Sequence, residues 1–193
     1  MGRAADRHPA AVRRRLGPRR RWWRLQRRRR RLRRRRRERR VVMAHPAWVR
    51  TIFSDADLDA IAAAVRRAEA TTTAELRVHL EQRVPKGREP LGRAQEVFRR
   101  LRMHRTRQRN GVLIYLALDD RKLAIVGDAG IHARVGDAYW TSMRDLMVSH
   151  LRARAARDAI VRAVEDLGRV LAEHFPRRPG DDPNELADEV STS

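Results

Sequence analysis

Between Arg109 and Ile131 the chain reads RNGVLIYLALDDRKLAIVGDAGI, and this stretch limits the fold more than any other. Two apolar runs, Val112 to Leu118 and Leu123 to Val126, flank Asp119-Asp120-Arg121-Lys122, a polar quartet with turn chemistry between β-branched and aromatic neighbours. The pattern predicts a β-hairpin. Its first run has no polar residue on either parity, as expected of a strand covered on both faces, so it is assigned as a central strand. A buried helix is the competing reading, but seven residues bounded by Asn-Gly and Asp-Asp suit a strand better.

Upstream, Ser54 is a good N-cap, with Asp55 and Asp57 placed to suit the helix dipole. Leu58, Ile61, Val65 and Ala68 then make one apolar stripe, which predicts a helix from Ser54 to Ala70. Thr71 to Thr73 break it. From Ala74 to Glu81, Leu76, Val78 and Leu80 alternate with Glu75, Arg77, His79 and Glu81, the pattern of a half-exposed strand. Leu91, Ala94, Val97, Phe98 and Leu101 mark a second helix, and the arginine-rich segment 102 to 110 leads into the hairpin. Beyond it come a short helical stretch, Ile131 to Val135, and a longer helix begun at Gly136-Asp137 with Trp140, Met143, Leu146, Met147 and Leu151 on its core side. A last helix, Arg157 to Phe175, ends at Pro176. This order predicts an α/β fold: a three-layer α/β/α sandwich around a small sheet of three or four strands, spanning residues 53 to 175.

The net charge of +22 belongs mainly to one end. Residues 1 to 42 hold 21 Arg against Asp6 and Glu38, which leaves 25 basic and 22 acidic residues in the remainder. The globular part is nearly neutral. The arginine block is expected to be disordered, and two readings of it stand: an arm for polyanions or anionic membranes, with Trp22 and Trp23 able to stack, or a segment ahead of a true start at Met43. The second reading draws on the bias of 44 Arg against two Lys, expected of a very GC-rich coding sequence. Residues 176 to 193, with Pro179, Gly180, Pro183 and five acids, are expected to be a disordered acidic tail. Cysteine is absent, which excludes a disulfide scaffold, a Cys-type zinc site and a thiol nucleophile. With no run long enough to span a bilayer and no secretory h-region, the cytoplasm is the default compartment.

Two places could carry chemistry. Gly127-Asp128-Ala129-Gly130 joins a strand end to a helix start, where backbone N–H groups could face an anion, Asp128 could face a cation, or Asp128 could simply cap the helix. The second is the set Glu75, Asp119, Asp120 and Arg121, whose carboxylates would suit calcium if they converged with Asp128; a solvated turn is the plainer reading for Asp119 and Lys122. No HExxH, GxSxG, Walker or dinucleotide fingerprint is present, and the histidines are scattered.

Phe53-Ser54-Asp55-Ala56-Asp57-Leu58, Thr72-Thr73-Ala74-Glu75-Leu76-Arg77-Val78, Arg109-Asn110-Gly111-Val112-Leu113-Ile114-Tyr115 and Gly127-Asp128-Ala129-Gly130-Ile131-His132, followed by Val135-Gly136-Asp137 and Trp140, together resemble the TPM domain family. The resemblance covers residues 53 to 175 and implies a three-layer α/β/α domain. It implies function less narrowly: a plant member looks like an acid phosphatase, some members bind calcium, and others are accessory factors of membrane complexes. Carried over by position, Glu75, Asp120 and Asp128 become the candidate acidic ligands and Arg121 the candidate phosphate contact. The chain departs from the family in having Thr73-Ala74 where Ser-Gly is frequent, and in lacking a signal peptide or membrane helix. The leading expectation is an accessory, assembly or ligand-binding domain, a protein partner within a larger complex. A metal-assisted acid phosphatase, using calcium or a similar divalent ion with Asp120, Arg121 and Asp128, is the enzymatic alternative. Nucleic-acid binding through residues 1 to 42 is the third.

Overall fold

The computed structural model describes residues 45–152, 156–178 and 190–193. The arginine-rich arm, residues 1 to 42, lies outside the described residues. Helix α1 (Ala47–Arg50) comes first and buries Val49 completely, so the packed body starts ahead of Phe53. Helix α2 (Asp55–Glu69) begins where Ser54 forms a capping box: its hydroxyl accepts from the Asp57 amide while the Asp57 carboxylate accepts from the Ser54 amide. There follow β1 (Leu76–Glu81), α3 (Pro90–Arg100), a short 3-10 turn (Met103–Arg105), β2 (Val112–Ala117) and β3 (Lys122–Gly127). Helix α4 (Ala129–Arg152) is broken at Gly136, which takes a positive φ of 71°, as the Gly136-Asp137 restart predicts. Helix α5 (Ala156–His174) and β4 (Ser191–Thr192) complete the body.

The four strands form one mixed sheet in the order β3-β2-β1-β4. β2 is central and wholly buried, as its two-faced apolar run requires. It pairs in parallel with β1 from Leu76↔Val112 to Glu81↔Ala117, and antiparallel with β3 from Val112↔Gly127 to Ala117↔Lys122. Successive β2 residues feed opposite layers. Val112, Ile114 and Leu116 pack with Ile61 and Val65 of α2, Met147 of α4 and Leu167 of α5, whereas Leu113, Tyr115 and Ala117 pack with Ala94, Val97 and Phe98 of α3. This is the expected three-layer sandwich, with α3 alone on one face. At the edge of the larger core, Thr72 is fully buried and donates its hydroxyl to the Phe175 carbonyl at 2.7 Å, tying the end of α2 to the end of α5.

Three expectations need correction. β1 is buried on both faces rather than half exposed, because α3 and β4 enclose the polar side that carries His79 and Glu81. The acidic tail does not stay disordered to its end: β4 adds to the open edge of β1 through His79↔Ser191 and Leu80↔Thr192, with Val190 only 8% exposed. Residues 179–189 of that tail lie outside the described residues. Leu146, read as core-facing, is exposed, as is Leu91 of the apolar set that marks α3.

Candidate functional site

Strand register decides which candidate residues can meet. Glu75 immediately precedes β1, Gly111 precedes β2 and Asp128 follows β3, and Leu76, Val112 and Gly127 are aligned across the three strands. Backbone bonds close this end of the sheet: the Val112 amide donates to the Glu75 carbonyl at 2.7 Å and the Asp128 amide to the Gly111 carbonyl at 2.9 Å. Glu75 and Asp128 thus flank the start of β2, two strand spacings or about 10 Å apart. Both are buried, at 4% and 6% exposure.

Asp128 has two duties. Its Oδ1 accepts the Ala129 amide at 2.8 Å and its backbone carbonyl accepts the His132 amide, so it does start α4, as the capping reading holds. Its carboxylate also receives Arg109 in a two-pronged grip, Nε to Oδ2 at 2.7 Å and Nη2 to Oδ1 at 2.9 Å. These hydrogen bonds push the Arg109 guanidinium pKa still higher. Arg109 itself holds a left-handed φ of 52°. The loop lies so close to the helix start that a Cβ at Gly130 would stand 2.1 Å from the Gln108 carbonyl oxygen, which explains a glycine there.

At the same end of the sheet, in the chain segment entering β2, is Asn110. It is 1% exposed; its Nδ2 reaches Thr73 Oγ1 only at 3.5 Å, and its buried Oδ1 has no hydrogen-bond partner among the described residues. A buried amide oxygen without a donor is costly, by roughly 1 to 3 kcal/mol. Sequence reasoning did not select Asn110 or Arg109 as site residues. The available signal was the Arg-Asn-Gly run set directly before a central strand, because a polar side chain entering a sheet from its buried end needs a partner.

Asp120 and Arg121 are elsewhere. They occupy the β2–β3 turn, beyond the Ala117↔Lys122 pair, and six β2 residues separate that turn from Asp128, a span of about 20 Å. Asp120 accepts the Val84 amide at 2.7 Å, Asp119 meets Gln82 and Arg83, and Arg121 is exposed with a left-handed φ of 53°. The expected convergence of Glu75, Asp120 and Asp128 therefore fails, since a hairpin puts its turn and its open end at opposite ends of the sheet. Among the described residues, no three His, Cys, Asp or Glu side chains gather in a group that could hold a metal ion. A set of two carboxylates and one amide oxygen remains, of the oxygen type that hard cations take.

A second polar cluster was not foreseen from sequence. Glu81, on the α3 face of β1, accepts Arg93 Nη2 at 2.6 Å and Nε at 3.0 Å, the Tyr115 hydroxyl at 2.5 Å and the Ser193 hydroxyl at 2.9 Å. Burial raises the Glu81 pKa, but these donors outweigh it and bring the group down to about 2. His79 lies flat near Tyr115, ring centroids 6.0 Å apart, and its two ring nitrogens meet the hydroxyls of Ser191 and Ser193. Burial first, then Arg100, lowers its pKa to about 4, so it is neutral near pH 7. Burial, reinforced by Glu81, raises the Tyr115 hydroxyl. Every charged group here has its partner.

A small mixed sheet with four helices on one face and one on the other, entered through a buried Asn-Gly and left through a helix-capping aspartate, defines a class of α/β domain. Residues 49–170 match the family model for the TPM domain, and the chain belongs to that family. The solution structure of the BA42 protein from the psychrophilic bacterium Bizionia argentinensis is similar, with 34% identity and a TM-score of 0.67 over 73% of this chain and 95% of that one. The N-terminal domain of the cg2496 protein from Corynebacterium glutamicum shares the fold at 16% identity and a TM-score of 0.52, over 69% of this chain and 83% of its own. An N-terminal domain from P. gingivalis does so at 19% identity and 0.52, over 66% and 83%. No curated protein matches the sequence. Among the described residues no helix is long and apolar enough to cross a membrane.

Proposed function

We propose that this TPM domain is an accessory, ligand-binding module without catalysis of its own, and that its ligand is a hard divalent cation such as calcium held at the Glu75–Asn110–Asp128 end. The observation that carries the reading is the Asn110 Oδ1, buried and without a hydrogen-bond partner among the described residues, in the segment entering β2 at the end of the sheet where Glu75 and Asp128 are also buried. Glu75, Asp128 and Asn110 supply oxygen donors of the right kind. Arg109 has to swing off Asp128 for that carboxylate to serve, and its side chain, 56% exposed, has room to do so. Arg109 would then act as the internal cation that neutralises Asp128 when no metal does.

The phosphatase alternative has less support. Asp120 and Arg121 belong to the turn at the opposite end of the sheet, too far to orient water or stabilise a phosphoryl group beside Asp128. Calcium titration by calorimetry, with hydrolysis of p-nitrophenyl phosphate followed in parallel, tests both readings. The expected outcome is calcium binding that is lost in Asp128→Asn and Asn110→Ala and kept in Asp120→Asn, with no hydrolysis in any sample. Calcium-dependent hydrolysis abolished by Asp120→Asn would reverse the assignment.

A further inference from the structure

From Val97 to Leu118 the chain contains six arginines and no acidic residue. Arg99 and Arg100 close the last turn of α3, Arg102 precedes the 3-10 turn, Arg105 ends it and Arg107 follows along the loop toward β2. All five are exposed, and none has a carboxylate partner among the described residues. Exposed arginines elsewhere on the domain are divided: Arg67 meets Glu165, Arg83 meets Asp119, Arg88 meets Glu96 and Arg157 meets Asp57, whereas Arg66, Arg121, Arg134 and Arg162 have no such partner among the described residues but lie on separate elements. The sixth arginine of the stretch, Arg109, is committed to Asp128. A nearly neutral domain thus gathers five unpaired arginines within one short stretch, from the end of α3 into the loop that follows.

That loop is held in place. Met103, Thr106 and Asn110 alternate with the arginines and are all buried, at 0%, 6% and 1% exposure. The Arg105 amide donates to the Arg102 carbonyl at 2.9 Å, and the Asn110 amide to the Thr106 hydroxyl at 3.0 Å. Arg102 sits at a left-handed φ of 60°, a conformation costing a non-glycine residue about 1 kcal/mol. Buried anchors fix the backbone while the guanidinium groups face water. Like charges fixed together repel, and an anionic partner that neutralises them gains what the fold gives up.

We propose that the folded domain binds the phosphate backbone of a nucleic-acid duplex through Arg99, Arg100, Arg102, Arg105 and Arg107. Arginine rather than lysine suits two-pronged contact with phosphate oxygens. The loop exposes no aromatic ring to stack on bases, and its arginines are spread from the end of α3 along a loop rather than along one helix or ribbon sized to enter the major groove, where arginine would otherwise read guanine. Contacts are therefore with the backbone and indifferent to sequence. A membrane surface is the less suited polyanion, because peripheral lipid binding draws on apolar side chains that enter the interface and here Met103 is buried and Leu101 half-buried.

The test uses the full chain and fluorescence anisotropy with a labelled DNA duplex of arbitrary sequence, titrated across a range of salt. One variant carries R102Q, R105Q and R107Q. A matched control carries R66Q, R134Q and R162Q, three exposed arginines of α2, α4 and α5. Charge loss is equal in the two, and any contribution from residues 1 to 42 is common to both. Since each phosphate contact contributes about 0.9 to the slope of log affinity against log salt, the loop variant is expected to lose about 2 to 3 in that slope and the control to keep it. Equal slopes in the two variants would overturn the proposal. So would a loop variant that loses binding to phosphatidylserine vesicles with its duplex affinity unchanged, which would make the loop a membrane contact.

Discussion

Two carboxylates in this domain are gripped by arginine in the same two-pronged way, yet their surroundings differ. Glu81 and Arg93 are both enclosed, with side chains 8% and 18% exposed, and the remaining oxygen valences of Glu81 go to Tyr115 and Ser193. Asp128 is as buried, but its arginine is 56% exposed, and at the same sheet end the Asn110 Oδ1 has no hydrogen-bond partner among the described residues. The first arrangement is saturated and rigid. The second has one partner able to leave and one acceptor waiting, which is what a binding site needs and a structural brace does not. A buried acid is thus no guide to function until its partners are counted.

If Glu81 is the brace, removing it should cost most. Glu81→Ala leaves Arg93 and the Tyr115 hydroxyl without their acceptor, and urea denaturation should show a loss of about 3 to 5 kcal/mol. A loss under about 1 kcal/mol would erase the distinction between the two pairs. Acid should reach the same cluster next. His79 has a folded pKa near 4 against 6.5 unfolded, so the unfolded chain binds the extra proton first as pH falls. Stability present above pH 6.5 should decline between about 6.5 and 4 by about 2 to 3 kcal/mol, and His79→Gln should flatten that decline in denaturation curves taken across the range. Glu81, depressed to about 2 from 4.5, adds its own loss only below about pH 4.5. Asp128→Asn should be the mildest. An exposed arginine simply returns to water and the amide oxygen can still cap α4, so thermal denaturation should register about 1 kcal/mol or less. A large loss there would make Asp128 a second brace.

Much of this architecture could be read from residue pattern alone, and the exceptions share a cause. The β2–β3 hairpin, the Ser54 cap, the break at Gly136 and the sandwich all follow from local spacing, because apolar parity and capping chemistry act over a few residues. β1 was misjudged because alternation between Leu76, Val78 and Leu80 and their polar neighbours looks the same whether the polar face meets water or meets Arg93, Tyr115 and Ser193. Those partners come from 12, 34 and 112 positions further along the chain. Tyr115 carried the one hint: a hydroxyl inside an otherwise apolar central strand requires an acceptor, and Glu81 was there to supply it. At the candidate site the same limit applied. Glu75 and Asp128 were identifiable as acids near strand ends, but whether Asp120 joined them depended on hairpin polarity, and Asn110 matters only because no donor among the described residues reaches its oxygen.

The short β4 strand has a consequence for the birth of the protein. Ser191, which closes the edge of β1 beside His79, is separated from it by 112 residues. At ribosomal rates of about 5 to 20 residues per second, roughly 6 to 22 seconds pass between synthesis of the two. During that interval a nascent chain can assemble β1, β2 and β3 but leaves one row of backbone groups and two polar side chains uncovered. The growing polypeptide therefore passes through a stage with an adhesive border, and factors that shelter emerging chains have a defined place and time to act.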